Sequence, residues 1–364
     1  MKHVLFLMLL IAQTALTQVK IIDSRKGDPI AFAHVIICNG KLGATSDMNG
    51  NISICDLSKM VFNDSSKFTI QHIAYENKEL TLGELKKMSE IKLKERTILL
   101  QEISILPNQI YDYVLIKGLF RSYQLNNGIP KYFTDGIVEY YIPKKGNGFS
   151  FCLLEHRSFR NVKLIESIKN RSISMVMKLA GIPYIESGIL LNDIKSKYSL
   201  NEIGTGKEII LLQSKVGFIK ENPEKQFVQI FIDKVAPNNE LIKSLFGYTS
   251  RIKNINLTEN YLCKDFKNLS KNLLESRKEY RKLYFKNNKD MEEEEIEGIH
   301  EFFTMDITYI TKKQFKTIKT ETDTSLKESH SYESEYWINL PKENNFPPLS
   351  QQIENELYKT LIMY

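Results

Sequence analysis

Apolar and polar residues alternate near the front of the chain. Ala33, Val35 and Ile37 share one face of a predicted strand, and Ile52 and Ile54 share one face of another. Between them, Asn49-Gly50 is the pair that supplies two positive φ values at least steric cost, so the pattern predicts a hairpin closed by a type I′ turn. Pro29 has no N–H to give a ladder and fits the first residue of a strand or an edge. Beyond residue 111 the chain runs into longer segments rich in aromatic and β-branched residues, at 135–142, 149–154, 226–233, 279–285 and 300–311. Turn residues between them predict a meandering antiparallel sheet, with 144–148 as one hairpin loop. Two stretches have helical spacing instead, 170–179 and 259–277. In the second, Tyr261, Leu262, Phe266, Leu269, Leu273 and Leu274 form a stripe that reads as core-facing. After Pro347-Pro348, Ser350 caps a short helix carrying Ile353, Leu357 and Leu361; alone it would be marginal, so it is expected to dock on the second domain. Trp337, just before it, reads as a packing anchor.

Certain residues of the front segment fall into a longer series. Gly27, Pro29, Ile30, Ala33 and Val35 are followed by Gly43, Ser46, Asp47, Gly50, Ile52 and Ile54, then by His72-Ile73-Ala74-Tyr75 and by Leu99-Leu100-Gln101-Glu102-Ile103. The series resembles the carboxypeptidase regulatory-like domain, a transthyretin-like β-sandwich, over about residues 19–106; Ala74 departs from the usual Gly of its third element. The resemblance implies a sandwich fold but not a task, because such modules accompany receptors, peptidases and envelope proteins alike. The expected fold class is mainly β (α+β): this sandwich at 18–106, then an antiparallel-sheet domain with a few helices at 107–340, divided from it at Pro107-Asn108. A Pro-rich approach and final helix occupy 341–364.

The N-terminus predicts export. Met1-Lys2-His3 is a short basic region, Val4 to Ala12 is apolar, and Ala15-Leu16-Thr17 is a small-residue cleavage site ahead of Gln18, so 1–17 reads as a secretory signal peptide. The apolar run falls short of the roughly 20 residues a membrane-spanning helix needs. A periplasmic or outer-membrane-associated location follows, with no transmembrane segment after signal removal and peripheral association with the outer membrane as one form of it. With 364 residues the chain has room for two cores, and 42% hydrophobic with 26% charged residues is ordinary for globular domains. The net charge of +6 is spread along the chain, which argues against nucleic acid as a partner. Cys38, Cys55, Cys152 and Cys263 are too sparse for a disulfide framework. Cys38 and Cys55 lie off the parity of their core-facing neighbours, so isolated thiols are favoured over a Cys38 to Cys55 bridge.

Candidate chemistry fails on spacing. His330-Ser331-Tyr332-Glu333 has the first half of the zinc carboxypeptidase ligand pattern, but no later His completes it. His300-Glu301 begins like the zincin motif, yet Thr304 stands where the second His belongs, and the segment reads as a strand. There is no Gly-x-Ser-x-Gly elbow. Gly204-Thr205-Gly206-Lys207-Glu208 lacks the earlier Gly of a phosphate loop, and Asp47-Met48-Asn49-Gly50-Asn51 reads as a turn before a calcium loop. The acidic run Glu292 to Glu295 reads as a solvated face. No catalytic, cofactor-binding or metal-ligating residue is assigned, and no cofactor. The expectation is an exported, non-catalytic envelope protein that binds a protein or glycan partner. The first alternative is a periplasmic lipid or lipoprotein carrier built as a half-barrel, and the second, disfavoured, is a hydrolase or peptidase.

Overall fold

The computed structural model describes residues 18–30, 33–37, 42–47, 49–54, 57, 63–72, 75–95, 111–145, 150–168, 178–185, 194, 197–203, 206–223, 226–233, 241–245, 247–287, 293–319, 330–344, 346–347 and 349–364. The expected signal peptide at 1–17, Cys38 and Cys55, most of the expected helix at 170–179, the fourth element of the family resemblance and the expected boundary at Pro107 lie outside the described residues. The protein is mainly β, and it divides into two compact units, Met1–Gln101 with Leu340–Asn355, and Glu102–Asn339 with Glu356–Tyr364.

Among the described residues the first unit holds seven strands: β1 (Gln18–Asp23), β2 (His34–Ile37), β3 (Leu42–Thr45), β4 (Asn51–Ser53), β5 (Lys67–His72), β6 (Tyr75–Thr81) and β7 (Glu90–Leu93). They form two small sheets, ordered β4-β1-β7 and β3-β2-β5-β6, with β1 and β7 parallel. Alternation explains the packing. Val19, Ile21, Ile52, Ile91 and Leu93 from one sheet and Val35, Phe68, Ile70 and Leu80 from the other enter one core. The short helix α1 (Leu82–Leu85) adds Leu82 and Leu85, and its Thr81 and Glu84 make a reciprocal capping box.

The expected hairpin at Asn49-Gly50 is not formed. β2 pairs with β3, while β4 pairs with β1 in the other sheet, so the turn carries the chain between sheets. Gly50 has φ +78°, but Asn49 is not among the positive-φ residues, so the turn is not type I′. The competing interaction is local. Asp47 Oδ1 accepts from the N–H groups of Asn49 and Asn51 at 2.9 and 2.8 Å, fixing an Asx-type turn instead. Gly50 is required there, because a Cβ would lie 2.5 Å from the Ile21 carbonyl oxygen.

Among the described residues the second unit is organised on a 12-stranded sheet. Its strands are β8 (Tyr113–Asn126), β9 (Ile129–Pro143), β10 (Ser150–Asn161), β11 (Ser199–Ile203), β12 (Gly206–Leu211), β13 (Ser214–Asn222), β14 (Phe227–Asp233), β15 (Leu241–Leu245), β16 (Tyr248–Leu262), β17 (Leu274–Asn287), β18 (Glu294–Ile310) and β19 (Leu361–Met363). Their order is β11-β12-β13-β14-β16-β17-β18-β8-β9-β10-β19, with β15 beside the start of β16, and every pairing in it is antiparallel. Two meanders are thus joined where β18 meets β8. The type I′ hairpin chemistry expected at Asn49-Gly50 is realised at Asn127-Gly128, with φ 48° and 75°, between β8 and β9.

The helix expected at 259–277 is absent. The end of β16, two single 3-10 turns (Phe266–Asn268 and Lys271–Leu273) and the start of β17 occupy it. Tyr261 and Leu274 pair across the two strands, and Phe266 and Leu269 are buried in the connection, so helical spacing there came from a long hairpin folding back on one core. The final helix is also shorter than expected. It stops at Glu356 (α5, Gln351–Glu356), because Tyr358 takes φ 63° and its N–H bonds Leu361 O, turning the chain into β19. By position α5 falls in the first unit and β19 in the second.

Candidate functional site

The large sheet has two faces of different character. Cross-strand partners share a face, and the register places Val114, Ile116, Phe120, Val138, Tyr140 and Phe302 on one face with Val228, Ile230, Ile232 and Leu257, all buried in one apolar cluster. Burying side chains of this size contributes on the order of 2 kcal/mol each, so this face is the core of the unit. Close packing needs room: a Cβ on Gly118 would sit 2.3 Å from Phe303 O and 2.5 Å from the Phe302 ring.

Toward the β8–β9 turn the same face becomes polar. The register sets Glu279, His300, Ser122, Thr134 and Ser158 side by side across β17, β18, β8, β9 and β10. Ser122 Oγ lies 2.9 Å from His300 Nδ1. Gln124 Nε2 donates to Asn126 Oδ1 at 2.8 Å, and Asn126 Nδ2 to Glu294 Oε1 at 2.7 Å. Glu279 accepts from Arg277 at 2.8 Å and from Arg281, while Tyr261 donates to Glu259 at 2.6 Å. Burial lowers the His300 pKa to about 4; Glu279 pulls the other way, and Arg281 and Arg277 reinforce the lowering. Burial alone would raise Glu279, but Arg277 and Arg281 hold its carboxyl below the usual range. At neutral pH His300 is therefore a neutral acceptor or donor inside an ion-paired row.

Residues 178–185 cross this face as an irregular strap and consume its polar groups. The Leu179 N–H donates to Gln124 Oε1 at 2.7 Å, Tyr140 Oη donates to Pro183 O at 2.5 Å, and Arg277 Nη1 donates to Tyr184 O at 3.0 Å. The Gly181 backbone bonds the His300 imidazole. Leu179 packs on Gly298, where a Cβ would meet its Cδ1 at 2.9 Å, and Ile185 joins the apolar cluster. The Ser158 hydroxyl is buried without a hydrogen-bond partner among the described residues.

A short helix, α2 (Val162–Ser167), follows β10, and the opposite face carries α3 (Lys312–Lys319) and the start of α4 (Tyr336–Glu343). Arg157 grips Asp135 through Nε at 3.0 Å and Nη2 at 2.6 Å, both side chains being nearly inaccessible. Tyr336 Oη donates to Asp135 Oδ1 at 2.9 Å, and Arg157 lies 3.9 Å from the Trp337 ring centroid. Trp337 is thus a packing anchor, clamped onto a buried ion pair.

The sequence motifs are dispersed by this architecture. His300 and Glu301 are consecutive strand residues, so they point to opposite faces, and no zincin pair forms. His330 is exposed beside Tyr332, and the Glu333 N–H donates to Glu155. Lys207 sits on β12 and pairs with Glu202 at 2.7 Å and Glu221 at 3.7 Å, while Gly204 and Thr205 of that motif lie outside the described residues. The acidic run is not a uniformly solvated face. Glu293 pairs with Arg251, Glu294 is buried against Asn126, and Glu295 pairs with Lys282 at 2.9 Å; strand alternation splits the three between faces. Among the described residues no group of three or more His, Cys, Asp and Glu converges in a way that would hold a metal ion. Among them, too, no helix is long and apolar enough to cross a membrane. Cys152 and Cys263 are buried free thiols.

Compared with known proteins, the chain matches no family model and no curated protein.

Proposed function

We propose that the chain is an exported, non-catalytic protein of the cell envelope that works by binding, its first unit being a carboxypeptidase regulatory-like, transthyretin-like sandwich that engages a protein or glycan partner. The observation carrying this reading is that two segments of the family resemblance lock onto each other. Ser46 Oγ accepts from the Ala33 N–H at 2.9 Å and donates to Ile30 O at 2.8 Å, and the Ile21 N–H donates to Gly50 O at 2.7 Å. The polar residues of the motif are spent on shaping turns, which suits a presenting scaffold better than a reaction centre. A pull-down from envelope fractions, with and without residues 18–106, tests the assignment. Partners should vanish with the module; retention of every partner refutes it.

A second reading, a lipid or lipoprotein carrier, is favoured by the apolar face of the large sheet, whose polar end lies under a strap held mainly by side-chain-to-backbone bonds. Such a strap lifts without breaking sheet pairing. Native mass spectrometry after gentle extraction decides: bound lipid supports the carrier, and lipid-free protein throughout removes it.

A further inference from the structure

One end of the large sheet gathers lysines from distant parts of the chain. The Lys144 N–H donates to Asp112 O at 2.8 Å and the Lys312 N–H to Asp112 Oδ2 at 2.7 Å, so the end of β9 and the start of α3 meet at one residue. Lys144, Lys145, Lys312, Lys313 and Lys316 are all exposed there. None of the five forms an ion pair among the described residues. Among the described residues, Asp112 accepts from the Lys312 N–H and Glu139 from Tyr141 Oη at 2.8 Å.

The lysines are placed against the helix's own interest. A helix N-terminus favours acidic residues, yet the first turn of α3 has none and carries Lys312 and Lys313 instead. Lys312 and Lys316 are like charges four residues apart, which is unfavourable as well. The cap is neutral, with the Thr311 N–H donating to Gln314 Oε1 at 2.8 Å. The apolar side of the helix is already used, because Phe315 stacks on Tyr113 at 4.1 Å and packs on Tyr141, so only the cationic side faces outward. Beside it Lys144 lies 4.1 Å from the ring centroid of half-buried Tyr111, an aromatic flank of the kind that sits at headgroup level.

We propose that this lysine patch is a docking surface for an anionic lipid bilayer. Its charges are flexible, compact ammonium groups without a forked arginine among the five, suited to a diffuse layer of phosphates rather than to one shaped anion. The helix does not insert; attachment is peripheral and electrostatic, and it weakens as salt rises. The inference rests on the proposed export for where such a surface is met, and it deepens the envelope association of that reading.

The test is flotation of the full chain with phosphatidylglycerol/phosphatidylcholine vesicles and with pure phosphatidylcholine vesicles. Binding is expected only to the anionic vesicles and should fall steeply with added salt. Each lysine near an anionic surface is worth about fivefold in partitioning, so Lys312→Glu with Lys313→Glu and Lys316→Glu should weaken binding by at least about 100-fold. An equal charge change at exposed Lys26, Lys87 and Lys92 of the first unit should leave it within a few-fold of the parent. Circular dichroism confirms that each variant is folded. Equal loss in both variants, binding to phosphatidylcholine alone, or capture of a soluble polyanion without vesicle binding overturns the proposal. Cell fractionation separates the two readings: an exported chain that ignores anionic vesicles sinks the lipid surface alone, and a vesicle-binding chain confined to the cytosol sinks export alone.

Discussion

Acidification should loosen the second unit through His300. In the folded protein burial holds its pKa at about 4, against an ordinary value of 6.5. The unfolded chain therefore binds the proton first as pH falls. Stability is complete above about pH 6.5 and drains away as pH drops toward 4. The linkage between the two values corresponds to a loss of about 2 kcal/mol by pH 5 and about 3 kcal/mol by pH 4. The physical source is the row in which His300 sits: burial strips the ring of water, and Arg281 and Arg277 stand near, so an imidazolium is unwelcome even though Glu279 and the Gly181 backbone both favour it. Urea unfolding of the parent and of His300→Gln between pH 7.5 and 4.5 isolates this contribution, since other groups titrate alike in both. The parent should lose about 2 kcal/mol more than the variant between pH 7 and pH 5. Imidazole resonances followed by NMR should titrate near pH 4. Parallel pH profiles for the two proteins, or a titration near 6.5, would refute the placement of His300 in a sealed, ion-paired row.

Further outcomes follow from single contacts. Arg157→Ala strands the Asp135 carboxylate and should cost about 3 to 5 kcal/mol, with a shifted emission of Trp337, the chain's one tryptophan, measured by fluorescence-monitored unfolding. Ser158→Ala removes a buried hydroxyl that has no partner among the described residues, so its unfolding midpoint should stay level or rise, by up to about 1 kcal/mol in stability. Gly118→Ala forces a methyl against Phe303 O and the Phe302 ring and should destabilise by about 2 to 4 kcal/mol in the same assay.

What was legible in the sequence was what is local. Aromatic and β-branched content at 135–142 and 226–233 marked β9 and β14, and the parity of Ala33, Val35, Ile52 and Ile54 marked four buried positions of the first unit. Turn chemistry was legible but misplaced: Asn49-Gly50 reads as the hairpin pair while Asn127-Gly128 goes unread, because the hold of Asp47 on its neighbours' N–H groups competes with hairpin geometry and is seen only in three dimensions. The polar row could not be read at all. Ser122 and His300 are 178 residues apart, and only the junction of β8 with β18 brings them together. The strap and the lysine patch are hidden for the same reason. Lys144 and Lys312 carry no shared motif, and they meet because Asp112 accepts from both backbones.

Binding of the proposed protein or glycan partner is expected to run through the first unit. Photo-crosslinking in cells with the intact chain tests it most directly, with the reactive residue placed at exposed Arg25 or Asn49 of the first unit, or at Leu212 of the second. Discrete adducts from the first-unit positions are expected in the envelope fraction; adducts from Leu212 with none from Arg25 or Asn49 would overturn the assignment of partner binding to the first unit.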